Sequence, residues 1–150
     1  MDIVNKQTRS RYMSGIRSKN TRPEVSIRKE LHRRGYRYRL HSRKLPGKPD
    51  VVLTKYRTVV LVNGCFWHMH GCKLFKLPQT RTDFWREKLE GNVKRDLRNK
   101  DLLNQSGWRV FVVWECGVKI KKQNAVEQAV DAFETWLDTE CMNGEYPADS

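Results

Sequence analysis

Thr58-Val59-Val60-Leu61-Val62-Asn63-Gly64-Cys65-Phe66-Trp67-His68-Met69-His70-Gly71-Cys72 is the stretch on which the fold turns. Its first five residues form an aliphatic and β-branched run without a polar interruption, the pattern of a strand buried on both faces. Asn63-Gly64 stops that strand. The residues from Cys65 to Cys72 then pack two thiols, two imidazoles and two large aromatic rings together, a composition that ordinary secondary structure does not need.

Working outward, Val110-Phe111-Val112-Val113 predicts a second buried strand over Arg109 to Trp114. Upstream, the turn Pro46-Gly47-Lys48-Pro49 leads into a strand at Asp50-Val51-Val52-Leu53, and Tyr36 to His41 alternates as a further strand. Thr21-Arg22-Pro23-Glu24 reads as a helix start, with Thr21 as cap, Pro23 in the first turn and Glu24 completing a capping box. That helix should turn Val25, Ile27 and Leu31 inward, with His32 beside them, and end near Gly35. Other helices are expected at Thr8 to Ile16, at Thr82 to Gln105 and at about Asn124 to Leu137. The order α-β-β-β-α-β-α predicts an α/β fold with a mixed central sheet flanked by helices. At 150 residues one domain is expected, with residues 1–7 and the tail after Cys141 loose.

The formal charge of +13 is unevenly spread. Residues 1–49 hold 15 Lys/Arg against 3 Asp/Glu, residues 50–122 hold 15 against 7, and residues 123–150 hold none against 7. A basic front and an acidic tail predict an oriented polyanion-binding surface, with nucleic acid the first candidate. The basic stretch lacks a strong apolar face, and no apolar run approaches the ~20 residues of a membrane span. The start Met1-Asp2-Ile3-Val4-Asn5-Lys6 is not a signal peptide, so a cytoplasmic chain is expected, in which four Cys are thiols or metal ligands before disulfides.

Three constellations carry chemistry. Cys65, Cys72 and a histidine are close enough in sequence to share a zinc ion, whose preferred donors are thiolate and imidazole. Composition leaves open whether that histidine is His68 or His70, and whether Cys116 or Cys141 is the fourth ligand. The histidine left over becomes a candidate proton acceptor. Next, Pro49-Asp50 opens a buried strand pair, where a carboxylate can hold Mg²⁺ against a phosphate, and Glu24, Asp96 and His68 could share that end of the sheet. Finally, Trp85, Lys88, Asn92 and Asp96 recur at helical spacing and fall in one stripe at ~100° per residue. Leu89, Val93 and Leu97 form the neighbouring stripe, expected to face the core. Phe66-Trp67 on an irregular segment of a basic protein suits rings that wedge between bases.

Gly47-Lys48-Pro49-Asp50, Asn63-Gly64-Cys65-Phe66-Trp67-His68, Thr80-Arg81-Thr82-Asp83-Phe84-Trp85, Asn92-Val93 with Arg95-Asp96, Gly107-Trp108-Arg109-Val110 and Val113-Trp114-Glu115-Cys116 together resemble the very-short-patch repair endonucleases, bacterial enzymes that nick DNA at T:G mismatches. The likeness runs in order from about Thr8 to Cys116. It implies a restriction-endonuclease-like fold with a structural zinc on Cys65, His70, Cys72 and Cys116. His68 then matches the catalytic histidine, oriented by Asp96. Asp50 matches the Mg²⁺-binding carboxylate and the Val62 carbonyl a backbone ligand. Phe66, Trp67 and Trp85 match the wedge, Met13 an N-terminal residue inserted from the opposite groove, and Lys88 and Asn92 contacts near the mismatch. Some members carry a histidine where this chain has Asn63, an amide that cannot take up a proton in the working range. The resemblance further implies double-stranded DNA with a T:G mismatch as partner, mismatch-repair proteins as associates, a monomer, and a bacterial cytoplasmic, nucleoid-associated location. Two other readings are a restriction-like nuclease cutting matched duplex and a zinc-containing DNA-binding module without catalysis.

Overall fold

In the computed structural model, residues 21–72, 75–118 and 124–148 are described. The helix expected at Thr8 to Ile16, and Met13 within it, lie outside them.

Helix α1 (Arg22–Arg33) begins as its sequence dictates: Thr21 accepts the Glu24 N–H at 3.3 Å, and Pro23 occupies the first turn. Gly35, at φ 97°, closes the other end, and the Tyr36 N–H returns to the Leu31 carbonyl at 3.0 Å. The buried face differs from the expected one. Glu24, Ile27, Glu30 and Leu31 are inside, whereas Val25 is only half-buried and His32 is exposed. Two carboxylates can occupy that face because each meets cationic or imidazole partners there.

A five-stranded sheet follows, in the order β1 (Arg39–Leu40), β2 (Val51–Leu53), β3 (Thr58–Asn63), β4 (Arg109–Trp114) and β5 (Asn143–Tyr146). The first three strands pair antiparallel, while β3, β4 and β5 run parallel. The parallel steps need crossovers, supplied by α2 (Thr82–Gln105) and α3 (Ala125–Leu137). On one sheet face, Val51, Leu53, Val60, Phe111 and Val113 pack with Ile27 and Leu31 of α1 and with Ala129, Val130, Phe133 and Trp136 of α3. On the other, Val52, Val59 and Val110 pack against Leu103 near the end of α2. The mixed sheet flanked by helices is therefore as the sequence predicts.

Three local readings are corrected. The strand expected from Tyr36 to His41 pairs only at Arg39–Leu40, because Tyr36 and Tyr38 turn their rings onto the core instead of extending the edge. The stretch after Cys141, expected to be disordered, contains β5, hydrogen-bonded in parallel beside β4. Edge pairing draws on backbone groups that every residue carries, so Asn143-Gly144-Glu145-Tyr146 pairs without an apolar pattern. Gly144 is required there: a Cβ would lie 2.5 Å from the Trp136 indole. Lastly, Leu97 is not in the core but 56% exposed, because α2 stands away from the sheet along its middle and leaves a groove.

One charged network ties α1 to α3. Glu30 accepts from Arg33 and Arg34, and Arg34 also reaches Asp131 and Glu134 at 2.8 and 2.5 Å. The Arg33 hydrogen bond, against the opposing effect of burial, holds the Glu30 carboxyl down at about 2. A carboxylate whose folded pKa is depressed stabilises above its unfolded value and loses that contribution as pH falls through the folded one. Glu30→Gln should therefore lower stability by a constant amount above about pH 5, with the gap to wild type narrowing between 4.5 and 2. Urea melts across that range check it.

Candidate active site

The sheet delivers the cysteine–histidine segment to one end. β3 and β4 run parallel and in register to Asn63 and Trp114, so the residues just beyond them, Cys65 and Cys116, emerge side by side. The intervening chain folds on itself: the His68 N–H reaches the Gly64 carbonyl at 3.2 Å, and the His70 N–H reaches that of Cys65 at 2.9 Å. Met69 takes a left-handed conformation at φ 50° to allow the turn. Ligand atoms of Cys65, His70, Cys72 and Cys116 consequently lie within 4.8 Å of one another. Burial pushes the thiols of Cys65 and Cys116 up; the neighbouring Cys72 sulfur adds to this for both, while the hydrogen bond with Cys65 partly offsets it at Cys116. Three sulfurs crowded like this cannot all ionise without a cation among them. The soft S₃N donor set is the one that suits a four-coordinate thiolate-binding metal. Cys141 is exposed on the surface and is not part of the cluster.

Two groups hold this segment from the end of β4 and the turn just after it. The Trp114 indole stacks on His70 with ring centres 4.1 Å apart and planes 6° apart, and its N–H donates to Glu145 of β5 at 2.8 Å. Glu115 accepts the Cys65 N–H at 3.1 Å. Neither role was visible in the sequence, since each depends on which strands become neighbours.

His68 points away from the cluster and engages Asp96 of α2 through Nδ1. That leaves Nε2 as the ring nitrogen not engaged by Asp96. The pair is partly exposed, at 25% for His68 and 38% for Asp96, and lines a groove of about 370 Å³ between α2 and the sheet. Leu61, Asn63, Lys100 and Trp114 also line it. A partly wet imidazole held by a carboxylate is a proton acceptor of fixed orientation.

Asp50 lies immediately before β2, at the end of the sheet where β3 finishes. One of its oxygens accepts the Val62 N–H at 2.8 Å. Glu24 reaches the same place from α1, where it is 1% exposed. Burial pushes the Asp50 carboxyl up, partly offset by the Val62 N–H and reinforced by the Glu24 carboxylate. Two carboxylates sharing one shielded site suit a hard cation. The third member, His41, escaped the sequence reading; its Nε2 is 2.7 Å from Glu24. The available signal was the hairpin itself. Pairing of Leu40 with Val51 places His41 next to Asp50.

The predicted aromatic group comes together. Phe66, Trp67 and Trp85 meet edge to face, with centroids 5.1 to 6.0 Å apart, and all three are half-buried. Asn92 donates to the Trp67 carbonyl at 3.1 Å, so in this state it braces the ring-bearing segment. Lys88 is exposed. The helical stripe of Trp85, Asn92 and Asp96 thus docks the 64–72 segment along α2.

Residues 1–74 match the family model described as DNA mismatch endonuclease Vsr. The chain is 41% identical over 136 residues to the DNA mismatch endonuclease Vsr of Escherichia coli, covering 91% of this chain and 87% of that protein. It is 50% identical over 115 residues to the type II nicking enzyme V.XorIIP of Xanthomonas oryzae pv. oryzae, covering 77% and 85%. With the type II nicking enzyme V.NmeAIP of Neisseria meningitidis it shares 48% identity over 120 residues, covering 80% and 86%.

Proposed function

Because the chain belongs to the Vsr family of DNA mismatch endonucleases and is an endodeoxyribonuclease, we propose that it nicks one strand of duplex DNA 5′ of the thymine in a T:G mismatch, as the first step of very-short-patch repair. The observation that carries this reading is the convergence of the Asp50–Glu24 carboxylates and the His68–Asp96 pair at one end of the sheet. Presentation of Asp50 by a buried hairpin supports a restriction-endonuclease-like fold.

Asp50, the Val62 carbonyl and Glu24 would hold Mg²⁺, which when bound neutralises charge on the scissile phosphate and its leaving oxygen. The nearby S₃N cluster of Cys65, His70, Cys72 and Cys116 would hold Zn²⁺ as a structural staple. His68 accepts the proton of the attacking water at Nε2, while Asp96 fixes the ring and stabilises its charged form. The water oxygen bonds to phosphorus as the bond to the 3′ oxygen breaks. Solvent then supplies the proton that completes the 3′-hydroxyl, and the other product is a 5′-phosphate.

Exposed Arg39, Arg43, Lys44 and Lys48, on the approach to Asp50, supply cations for backbone phosphates. Phe66, Trp67 and Trp85 insert beside the mismatch, with Met13 entering from the other groove and Lys88 and Asn92 nearby. Unstacking costs a few kcal/mol and less at a wobble pair, so deformability favours the mismatch. In the same reading the enzyme works as a monomer in the bacterial cytoplasm at the nucleoid, alongside mismatch-repair proteins. No helix among the described residues is long and apolar enough to cross a membrane.

The test is incubation with Mg²⁺ and matched or T:G-containing duplexes, followed by mapping of the nick. Cleavage of matched duplex at a fixed sequence with equal efficiency would instead favour a restriction-like specificity. Trp67→Ala should weaken mismatch binding by about 1–3 kcal/mol while leaving binding to matched duplex nearly unchanged. Fluorescence anisotropy with both duplexes checks it.

A further inference from the structure

The Glu24–His41–Asp50 cluster contains one donor that the reaction above does not use. One ring nitrogen of His41 and one carboxylate oxygen from each acid lie within 4.8 Å of one another. The three come from separate places in the fold: the first turn of α1, the residue just after β1 and the residue just before β2. His41 is held from two directions. Its backbone N–H donates to the Asp50 carbonyl at 3.1 Å, and Nε2 meets Glu24 at 2.7 Å. Its backbone sits at φ 47°, a conformation a non-glycine residue rarely adopts, which turns the ring in from the edge strand. The ring is 21% exposed, so it stands at the mouth of the site, with Glu24 behind it at 1%.

We infer that His41 is a direct nitrogen ligand of the metal centre, making that centre a mixed N/O site that selects a first-row transition ion such as Mn²⁺ over Mg²⁺. This rests on the reading of Asp50 as a metal ligand. Mg²⁺ takes hard oxygen donors and keeps its waters, so an imidazole adds little to its affinity. Transition ions gain from the same nitrogen. The hydrogen bond to Glu24 has a competing meaning, in which His41 only orients that carboxylate from outside the coordination sphere. Glutamine tests the difference, because its amide can still donate to Glu24 but offers no imidazole nitrogen.

The experiment uses the full chain with its cysteine–histidine cluster loaded. Mn²⁺ is titrated in while its free signal is followed by electron paramagnetic resonance, and Mg²⁺ affinity is obtained by competition. His41→Gln should weaken Mn²⁺ binding roughly tenfold or more and change Mg²⁺ binding less than about twofold. Pulsed measurements on bound Mn²⁺ should show coupling to a nitrogen that disappears in the variant. Wild-type Mn²⁺ affinity in His41→Gln, equal losses for both ions, or absence of nitrogen coupling in the wild type would each overturn the inference. Asp50→Asn provides the control on the underlying reading. If it binds both ions like wild type, Asp50 is not the ligand; if it loses both while nitrogen coupling was never seen, only the role of His41 fails.

Discussion

His68→Ala should bind T:G-containing duplex with near wild-type affinity and nick it about 10²–10⁴-fold more slowly. The ring is not part of the core: it is partly exposed, its Nδ1 partner is Asp96, and it lines a groove. Removing it therefore takes away the proposed proton acceptor without opening a buried cavity. Asp96→Asn should produce a smaller loss, because an amide can still orient the ring but cannot offset its charge when protonated. Asp50→Ala should match His68→Ala in rate for a different reason, the loss of the carboxylate proposed to hold the divalent ion. Single-turnover nicking together with equilibrium binding separates these effects. Near-normal cleavage by either alanine variant would remove that residue from the mechanism.

The second large effect is on folding. Cys72→Ala should leave the protein unfolded or aggregated at 37 °C, as should prolonged treatment with a strong chelator. Structural zinc in small domains carries roughly 10–16 kcal/mol of apparent binding free energy, comparable to or larger than the net stability of most domains. The architecture explains why the effect should be global. The cluster joins the segment after β3 to the turn after β4, and those are the two central parallel strands. Breaking it also leaves thiols in a place where burial already opposes their ionisation. Metal analysis of the purified protein and thermal melts of Cys72→Ala check this. A protein that contains no zinc and melts normally would show that the cluster is only a group of reduced cysteines. Cys141→Ala, by contrast, should be neutral, since that side chain is exposed.

Much of the fold was legible because its elements advertise themselves locally. The α2 boundaries, Thr82 and Gln105, and the β4 boundaries, Arg109 and Trp114, follow from periodicity and from runs of β-branched residues. The start of α1 was legible through Thr21 and Pro23. The failures share a cause. The β5 strand has no apolar signature, because what stabilises it is a row of backbone hydrogen bonds to β4 that any residue could make. Leu97 satisfied the helical stripe and still ended exposed, because a stripe says which way a side chain faces and not whether anything stands opposite.

The candidate site divides in the same way. Residue types and spacing were enough to single out Cys65 and Cys72 with one of two histidines as a metal-binding group, while the roles expected of Asp50, His68 and Asp96 came from the family resemblance. Which histidine faces the sulfurs and which faces Asp96 was not decided by spacing. It was decided by the left-handed turn at Met69, which sends two histidines only two residues apart to opposite partners. His41 and Trp114 gained their positions only when strands far apart in sequence became neighbours. The sequence by itself determined the chemical inventory and the kind of partner, because charge and donor type are properties of single residues. The tertiary structure alone decided who touches whom, because contact is a property of pairs that only strand order and register bring together.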